Sequence, residues 1–299
     1  MATTRDRTTA TPDRTTATSD RTIAALDHLA AARATGRPVP PVRTLLPGGD
    51  IATAYAVQSA WVAGQVAAGA VIVGRKVGLT NPAVQAQLGV DQPDFGVLLD
   101  TMDCPPGAAI DITRLLQPKI EAEIAFVLSA DLTATDVGPA EVVAATGWVA
   151  AALEIVDSRI AGWDIDIVDT IADNASSGLF TLGERRRLDG LNLPACRMSM
   201  SRASMSRGAE VVSTGSGAAC LGDPLVAVAW LARTALHHGQ PLRAGDLVLS
   251  GALGPMVPVT PGDRFHAEID GFAPVAAEFT GGSALVGGLA PVADPGGSE

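Results

Sequence analysis

Two glutamates spaced two residues apart, Glu121 and Glu123, occupy a stretch in which charged and apolar residues alternate. On a β-strand both carboxylates project from one face, where they repel unless a cation binds between them or one takes a proton. A third carboxylate, Glu154, interrupts the apolar stretch 150–156, so we expect it to be buried and to need a partner. Oxygen-only ligands suit a hard cation such as Mg²⁺ or Mn²⁺. A polar strand edge that faces solvent shows the same spacing and stays open as the alternative.

Lys76 and Asp94 are candidates for proton transfer. Lys76 lies between glycines in the stretch 74–80, at the end of a predicted strand. A lysine near apolar neighbours can have a lowered pKa and exchange protons, although a surface lysine fits this stretch equally well. Asp94 stands beside Phe95 in the stretch 92–96, which by itself indicates a turn.

Other motifs in the sequence carry less information. The small polar stretches 173–178 and 250–253 could contact an oxyanion or form plain turns. The four histidines show no ligand-like spacing, and the three cysteines form no CxxC pair. No GxGxxG follows a predicted strand and no GxSxG occurs, so nucleotide binding and serine hydrolase chemistry receive no support.

The elements that must position these residues are predicted to be mostly strands joined by Gly and Pro turns. Helices are predicted near 23–33 and from Asp50, as a cap, to about residue 68. Strands are predicted at 119–128 and 149–156, from alternation in the first and apolar content in the second. Further signals are a helix from Asp223-Pro224 to Gly239 and a two-residue hairpin turn at Asp270-Gly271. The pattern predicts an α+β fold with a mixed-sheet core and outer helices.

Composition limits the partners. The chain has 299 residues, of which 47% are hydrophobic, and a formal net charge of −11. The acidic balance argues against nucleic acid, while a bound divalent cation could still attract a small anion. The uncharged stretch 51–74 is rich in Ala and contains Gln, so it indicates an amphipathic helix that runs into a strand, and no membrane segment. Cysteine usage fits the reducing cytoplasm.

The ends of the chain differ from the middle. Residues 1–21 repeat Asp-Arg-Thr with a period of seven but lack apolar heptad positions, which is typical of a disordered tail. We expect a helical region at 22–70, a catalytic mixed-sheet domain at 71–285 and a flexible tail at 286–299.

Five long blocks of the sequence resemble the 2-keto-4-pentenoate hydratases of the fumarylacetoacetate hydrolase superfamily. They are GRKVGLTNPAVQAQLGVDQPDFGVLLD (74–100), PKIEAEIAFVLSADL (118–132), LEIVDSRIAGWDIDIVDTIADNASSGLFTLG (153–183), STGSGAACLGDPLVAVAWLA (213–232) and LRAGDLVLSGAL (242–253). The resemblance runs in order from about residue 50 to 279. It implies a mixed-sheet barrel or roll with outer helices, in a protein that forms homo-oligomers.

The resemblance also assigns roles. It implies that Glu121, Glu123 and Glu154 hold one Mg²⁺ or Mn²⁺ and that Lys76 and Asp94 are the acid/base groups. The residues implied to contact substrate are Leu79, Asp173, Ser176 and Ser250. The implied reaction adds water to 2-hydroxypenta-2,4-dienoate, a small 2-oxo acid in its enol form, during catabolism of aromatic or related compounds.

One departure from the resemblance concerns the far end of the substrate. Where these hydratases often have Ser-Gly-Ser, this chain has Ser250-Gly251-Ala252, so one hydroxyl is missing. Two alternatives stay open: a decarboxylase acting on 4-oxalocrotonate, and a non-catalytic partner subunit of such an enzyme. The QPDFG stretch at 92–96 favours the hydratase, and the intact acidic residues oppose the non-catalytic subunit.

Overall fold

The computed structural model describes residues 14–46, 51–81, 85, 92–204 and 207–281. The predictions made for residues 1–13, for the cap at Asp50 and for the tail 286–299 lie outside the described residues.

The N-terminal region is helical, as the sequence predicts, but its first helix starts earlier. Helix α1 spans Arg14–Thr35 and helix α2 spans Ile51–Ala67. Residues 14–21, predicted to be part of a disordered tail, therefore belong to a helix. Among the residues of α1 whose burial is described, 19–35, the buried side chains are Ala25, Leu29 and Ala32. Packing at these positions stabilises the helix, and adding residues to an existing helix costs far less than starting one.

Strands make up most of the remaining chain. In chain order they are β1 Ile72–Gly78, β2 Asp94–Leu99, β3 Ala109–Asp111, β4 Pro118–Leu128, β5 Thr146–Asp157, β6 Ser177–Leu182, β7 Arg197–Ser204, β8 Arg207–Ser216, β9 Leu247–Leu249, β10 Val257–Pro258, β11 Arg264–Ile269 and β12 Val275–Thr280. The helices between them are α3 Pro139–Ala145, α4 Ile167–Ala172 and α5 Pro224–His237.

A seven-stranded mixed sheet holds the predicted site residues. Its order is β2-β1-β9-β4-β5-β6, with β10 added beside β4; β1 and β9 run parallel and the other pairs are antiparallel. The sheet curls until the chain after β2 meets β6, where Asp103 bridges Phe180 and the Cys104 N–H donates to the Phe180 carbonyl at 2.8 Å. Apolar side chains pack inside the curl, among them Ala125, Ala152 and Leu249. The predicted α+β barrel or roll is confirmed.

A second sheet of five strands, ordered β3-β12-β11-β7-β8, completes the domain. Strand β11 alternates strictly between exposed and buried residues, as in a sheet with one solvated face. The turn at Asp270-Gly271 forms, closed by the Phe272 N–H donating to the Ile269 carbonyl at 2.9 Å. Pairing with β11 resumes only at Val275, so the connection is longer than the predicted two-residue hairpin.

Helix α5 has the predicted ends. The Asp223 side chain accepts from the Leu225 N–H, Pro224 is the first helical residue, and Gly239 follows with φ of 71°. The stretch Gly217–His237 is long and apolar enough to cross a membrane by length and composition alone. Its residues Val228 and Leu231 are fully buried against the rest of the protein, as in a core helix.

Candidate active site

The register of two central strands builds an acidic centre. Strand β4 pairs with β5 so that Glu121 lies directly opposite Glu154, and Glu123 follows two residues along on the same face. One carboxylate oxygen from each of the three glutamates lies within 4.8 Å of the others. The three predicted metal ligands are therefore brought together inside the curl of the seven-stranded sheet.

Two of these carboxylates are buried and the third, Glu121, is half-buried, and they have few partners. Glu123 and Glu154 are 0% and 1% exposed. The Gly251 N–H donates to Glu123 Oε2 at 2.8 Å, but Glu123 Oε1 has no hydrogen-bond partner among the described residues, and among them the Glu154 carboxylate has only its ion pair with Lys76. Burial, followed by the charge of Glu154, raises the pKa of Glu121 to about 7 and that of Glu123 well above its usual range.

The donor set fits a hard divalent cation. Buried carboxylate oxygens without donors are costly unless a cation neutralises them, and oxygen ligands are those that Mg²⁺ and Mn²⁺ prefer. Glu121, Glu123 and Glu154 are the residues that would hold it.

Lys76 reaches the acidic centre from the neighbouring strand. Strand β1 places it beside Leu249 of β9, with its Nζ 3.2 Å from Glu154 Oε1 and only 3% of the residue exposed. Burial by itself would lower the pKa of Lys76, but the surrounding carboxylates, first Glu154 and then Asp94, raise it above its ordinary value. The lowered pKa expected from apolar neighbours is therefore wrong for the metal-free protein, because those neighbours include four carboxylates.

Asp94 begins strand β2 instead of lying in a turn. It is paired in register with Gly78, and a Cβ at Gly78 would lie 2.1 Å from Asp94 Oδ1, so a glycine is needed there. The Thr170 hydroxyl donates to Asp94 Oδ2 at 3.1 Å, while Oδ1 has no partner among the described residues. Burial raises the pKa of Asp94 above its usual range.

A cavity of about 320 Å³ opens against this cluster. Its polar wall contains Lys76, Asp94, Glu121, Thr170 and Ser176. Its apolar wall contains Leu79, Val156, Trp163, Ile165, Ala252, Pro255 and Met256. Among the described residues that line the cavity, Lys76 is the only cation. The cavity lining thus combines side chains suited to an anionic, proton-exchanging group with side chains suited to an uncharged one.

Two residues implied to contact substrate, Ser250 and Asp173, are not part of the described cavity lining. Ser250 is fully buried behind the acidic centre, where its carbonyl accepts from Cys220 Sγ at 2.7 Å, and the following residue, Gly251, binds Glu123. Asp173 is fully buried in an ion pair with Arg159, with Nε 2.5 Å from Oδ1, and neither Asp173 nor Ser250 is part of the described cavity lining. A buried aspartate that is already paired has little capacity left for a substrate.

Several site residues are not predicted by any motif in the sequence. Thr170 and Trp163 show no motif of their own, and both come to the cavity through the chain between β5 and β6. Gly78 and Gly251 stand out in the sequence as glycines, and the structure gives the reason for them. A Cβ at Gly78 would clash with Asp94, and a Cβ at Gly251 would clash with Thr80. Gly251 also has φ of 111°, a backbone conformation that favours glycine.

Comparison with known proteins agrees with this geometry. Residues 71–280 match the family described as fumarylacetoacetate (FAA) hydrolase, C-terminal. The chain is 35% identical to the solved 4-oxalocrotonate decarboxylase of Pseudomonas putida G7, complexed with magnesium and adipate, with a TM-score of 0.82 over 87% of this chain and 98% of that one. Fold and acidic centre together define an enzyme of the fumarylacetoacetate hydrolase superfamily.

Sequence relatives identify the family to which the chain belongs within this superfamily. The chain is 51% identical to the 2-keto-4-pentenoate hydratase of Burkholderia vietnamiensis, over 84% of this chain and 95% of that protein. It is 52% identical to 2-keto-4-pentenoate hydratase 1 of Dechloromonas aromatica, over 84% of this chain and 94% of that protein. The chain belongs to the 2-keto-4-pentenoate hydratase family.

Proposed function

We propose that this chain is a hydro-lyase that adds water to 2-hydroxypenta-2,4-dienoate or a close analogue and releases a 4-hydroxy-2-oxo acid. The observation that carries the proposal is that Lys76, Asp94 and Glu121 line one cavity, while Glu123 and Glu154 are grouped with Glu121 within 4.8 Å. The family membership supports the same reaction. The degradation of aromatic compounds is the metabolic setting that we propose for it.

The glutamates are proposed to bind Mg²⁺ or Mn²⁺. Such an ion, when bound, supplies Lewis acidity toward the 2-oxygen and carboxylate of a 2-oxo acid. Three carboxylates exceed the charge of a divalent ion by one. Lys76 Nζ, 3.2 Å from Glu154, offsets that excess and is placed between the acidic centre and the substrate cavity.

Lys76 and Asp94 are proposed to move the protons. The 2-hydroxyl loses its proton and carbon 5 gains one, which turns the dienol into 2-oxopent-3-enoate. Water then adds at carbon 4 and a proton at carbon 3, giving 4-hydroxy-2-oxopentanoate. Asp94 suits the exchange because its Oδ1 has no partner and burial raises its pKa, so its protonated and ionised forms are closer in free energy than in water.

The apolar part of the cavity lining favours an uncharged substituent. Trp163, Ile165 and Met256 belong to it, together with Ala252, where the resemblance to the hydratases leads us to expect a serine. A second carboxylate against these side chains would be desolvated without a cationic partner among the described lining residues. We therefore propose a dienoate with hydrogen or an alkyl group beyond carbon 4.

Decarboxylation of a 2-oxo-enedioate is the second candidate, favoured by the similarity to 4-oxalocrotonate decarboxylase. Its substrate is a dianion, which the apolar side chains of the cavity lining oppose.

The test is a substrate panel on purified full-length chain, stripped of metal and reloaded with Mg²⁺ or Mn²⁺. We expect loss of dienoate absorbance, formation of 4-hydroxy-2-oxopentanoate and no CO₂. Faster CO₂ release from 2-oxohex-3-enedioate would replace the hydratase with the decarboxylase. Failure on both substrates by the folded, metal-loaded chain would support a non-catalytic partner subunit.

Three further expectations remain proposals. The protein is expected to form homo-oligomers and to reside in the cytoplasm, and the chain is expected to divide into a helical region at 22–70 and a catalytic domain at 71–285. Light scattering tests the first, cell fractionation the second and expression of residues 71–285 alone the third.

A further inference from the structure

A strained turn forms part of the cavity wall. Asn174, Ala175 and Ser176 follow one another with φ of 57°, 51° and 53°. Residues with a Cβ rarely adopt this left-handed conformation, and consecutive ones keep it only where surrounding contacts hold them. Ala175 and Ser176 both line the cavity. The contacts that hold the turn therefore bear on the site.

One set of contacts ties the turn to strand β2. Asn174 Oδ1 accepts from the Val97 N–H at 2.8 Å and its Nδ2 donates to the Val97 carbonyl at 2.9 Å. The turn packs so closely on this strand that a Cβ at Gly96 would lie 2.6 Å from the Asn174 carbonyl oxygen. The start of the turn is thus fixed against the strand that carries Asp94.

A second set of contacts comes from Arg159 and holds both flanks. Its N–H and Nε donate to the Asp173 carboxylate at 2.8 and 2.5 Å. Its Nη2 donates to the Asp173 carbonyl at 2.5 Å, and its Nη1 donates to the Ser177 carbonyl at 2.8 Å. The Asp173 carbonyl also accepts from the Ser176 N–H at 3.1 Å. Arg33 Nη2 also pairs with Asp173 Oδ1, at 3.3 Å, so two guanidinium groups hold Asp173, and of these two Arg159 also binds the Ser177 carbonyl after the turn.

The turn presents a hydroxyl that nothing else uses. Ser176 is 3% exposed, lines the cavity, and its Oγ has no hydrogen-bond partner among the described residues. Buried hydroxyls are normally paired, so an unpaired one on a cavity wall is available to a ligand.

We propose that Arg159 and Asp173 are positioning residues that hold the strained turn, so that the Ser176 hydroxyl donates to an oxygen of the bound 2-oxo acid. The inference rests on the proposed function for the chemical class of the ligand. It also gives Asp173 a role: this carboxylate acts through the turn and does not contact the substrate.

A double-mutant cycle tests the coupling. The variants are Ser176→Ala, Arg159→Lys and their combination; lysine keeps the charge but cannot donate to the Asp173 carboxylate, its carbonyl and Ser177 together. The readout is the Kd of Mg²⁺-loaded protein for 2-oxopentanoate, a saturated and unreactive 2-oxo acid, measured by calorimetry. Turnover of the dienoate and melting temperature are measured in parallel.

Arg43→Lys is the matched control. Arg43 Nη1 pairs with Asp169 Oδ2 at 2.5 Å, and Asp169 is another fully buried carboxylate, in helix α4, one turn before Asp173. Among the described residues, the side chains of this pair form no hydrogen bond to residues 174–176. Arg43→Lys should lower the melting temperature and leave the Kd for 2-oxopentanoate within about twofold.

The expected result is that each single variant weakens binding about tenfold, the loss expected for one hydrogen bond to a charged group, and that the double variant is no weaker. The proposal would be overturned if the Kd of the double variant rose by the product of the two single increases. It would also be overturned if Arg159→Lys lowered the melting temperature and left the Kd unchanged. If Arg159→Lys does not fold, Asp173→Asn takes its place in the cycle. Wild-type protein without dienoate turnover but with the coupled binding pattern would reject the hydratase and still support the positioning role.

Discussion

Strands β4 and β11 have the same kind of sequence and opposite surroundings. In both, charged and apolar residues alternate, with Glu121 and Glu123 on one and Arg264, His266 and Glu268 on the other. The charged residues of β11 are exposed, whereas those of β4 point into the curled sheet. Alternation therefore predicts a strand, but it does not tell a solvated face from a catalytic one.

The difference lies in the neighbouring strands. Strand β4 is central, between β9 and β5, and its acidic face continues into the apolar interior that contains Ala125 and Leu249. Strand β11 lies in a sheet with one face in solvent. A charged face inside a curled sheet is destabilising on its own, so the cation that it would bind gives a physical reason for its presence.

The largest effect is expected from removing the cation or one of its ligands. Chelation should abolish turnover, and Mg²⁺ or Mn²⁺ should restore it. Glu123→Gln should weaken Mg²⁺ binding by more than the roughly 10- to 100-fold that outer-shell substitutions cost. Because this change also removes a buried acid whose pKa burial raises well above its usual range, the metal-free variant should melt at the same temperature as the wild type or higher. Calorimetry with Mg²⁺ and thermal unfolding measure the two effects; full turnover in excess chelator would contradict the metal assignment.

The next effect is expected at Lys76. Lys76→Met should lower turnover by about 10²- to 10⁴-fold, the usual contribution of positioned proton transfer. Binding of the 2-oxo acid should fall less, because Lys76 is not among the proposed cation ligands. The substitution also leaves Glu154 without its ion pair, so the metal-free variant should be less stable and the metal-loaded one close to normal. Near-normal turnover per folded, metal-loaded subunit would remove Lys76 from the mechanism and leave Asp94 as the acid/base candidate.

Much of the site followed from local patterns. Alternation in β4 and an apolar stretch around Glu154 are enough to suggest three carboxylates on buried strands, and the register of β4 with β5 then brings them together. Asp173 and Arg159 show why the rest could not be predicted. Both lie in a block that resembles the hydratases, but which of its polar residues faces the cavity depends on the left-handed turn that follows. No spacing rule anticipates such a turn where glycine is absent.

A smaller effect is expected from restoring the missing hydroxyl. Ala252→Ser adds a polar group to the apolar wall of the cavity. Turnover of a dienoate with an alkyl group beyond carbon 4 should fall by roughly tenfold at most, and that of the unsubstituted dienoate less, because only the longer substrate desolvates the new hydroxyl. The ratio of the two kcat/KM values is the measurement. An unchanged ratio would show that the substituent lies against another wall.

The smallest effect is expected from the counterpart of Glu123→Gln on β11. Glu268→Gln makes the same chemical change at a charged position of an alternating strand, but Glu268 is exposed and forms no part of the described cavity lining. The free energy of unfolding should change by no more than about 0.5 kcal/mol, as for most surface substitutions. Mg²⁺ affinity and turnover should stay at the wild-type values. Denaturant unfolding and the calorimetric titration used for Glu123→Gln give a direct comparison of the two strands. Water already solvates the carboxylate of Glu268, so this carboxylate needs no cation. Weaker Mg²⁺ binding by Glu268→Gln would therefore contradict the distinction between a solvated and a catalytic charged face.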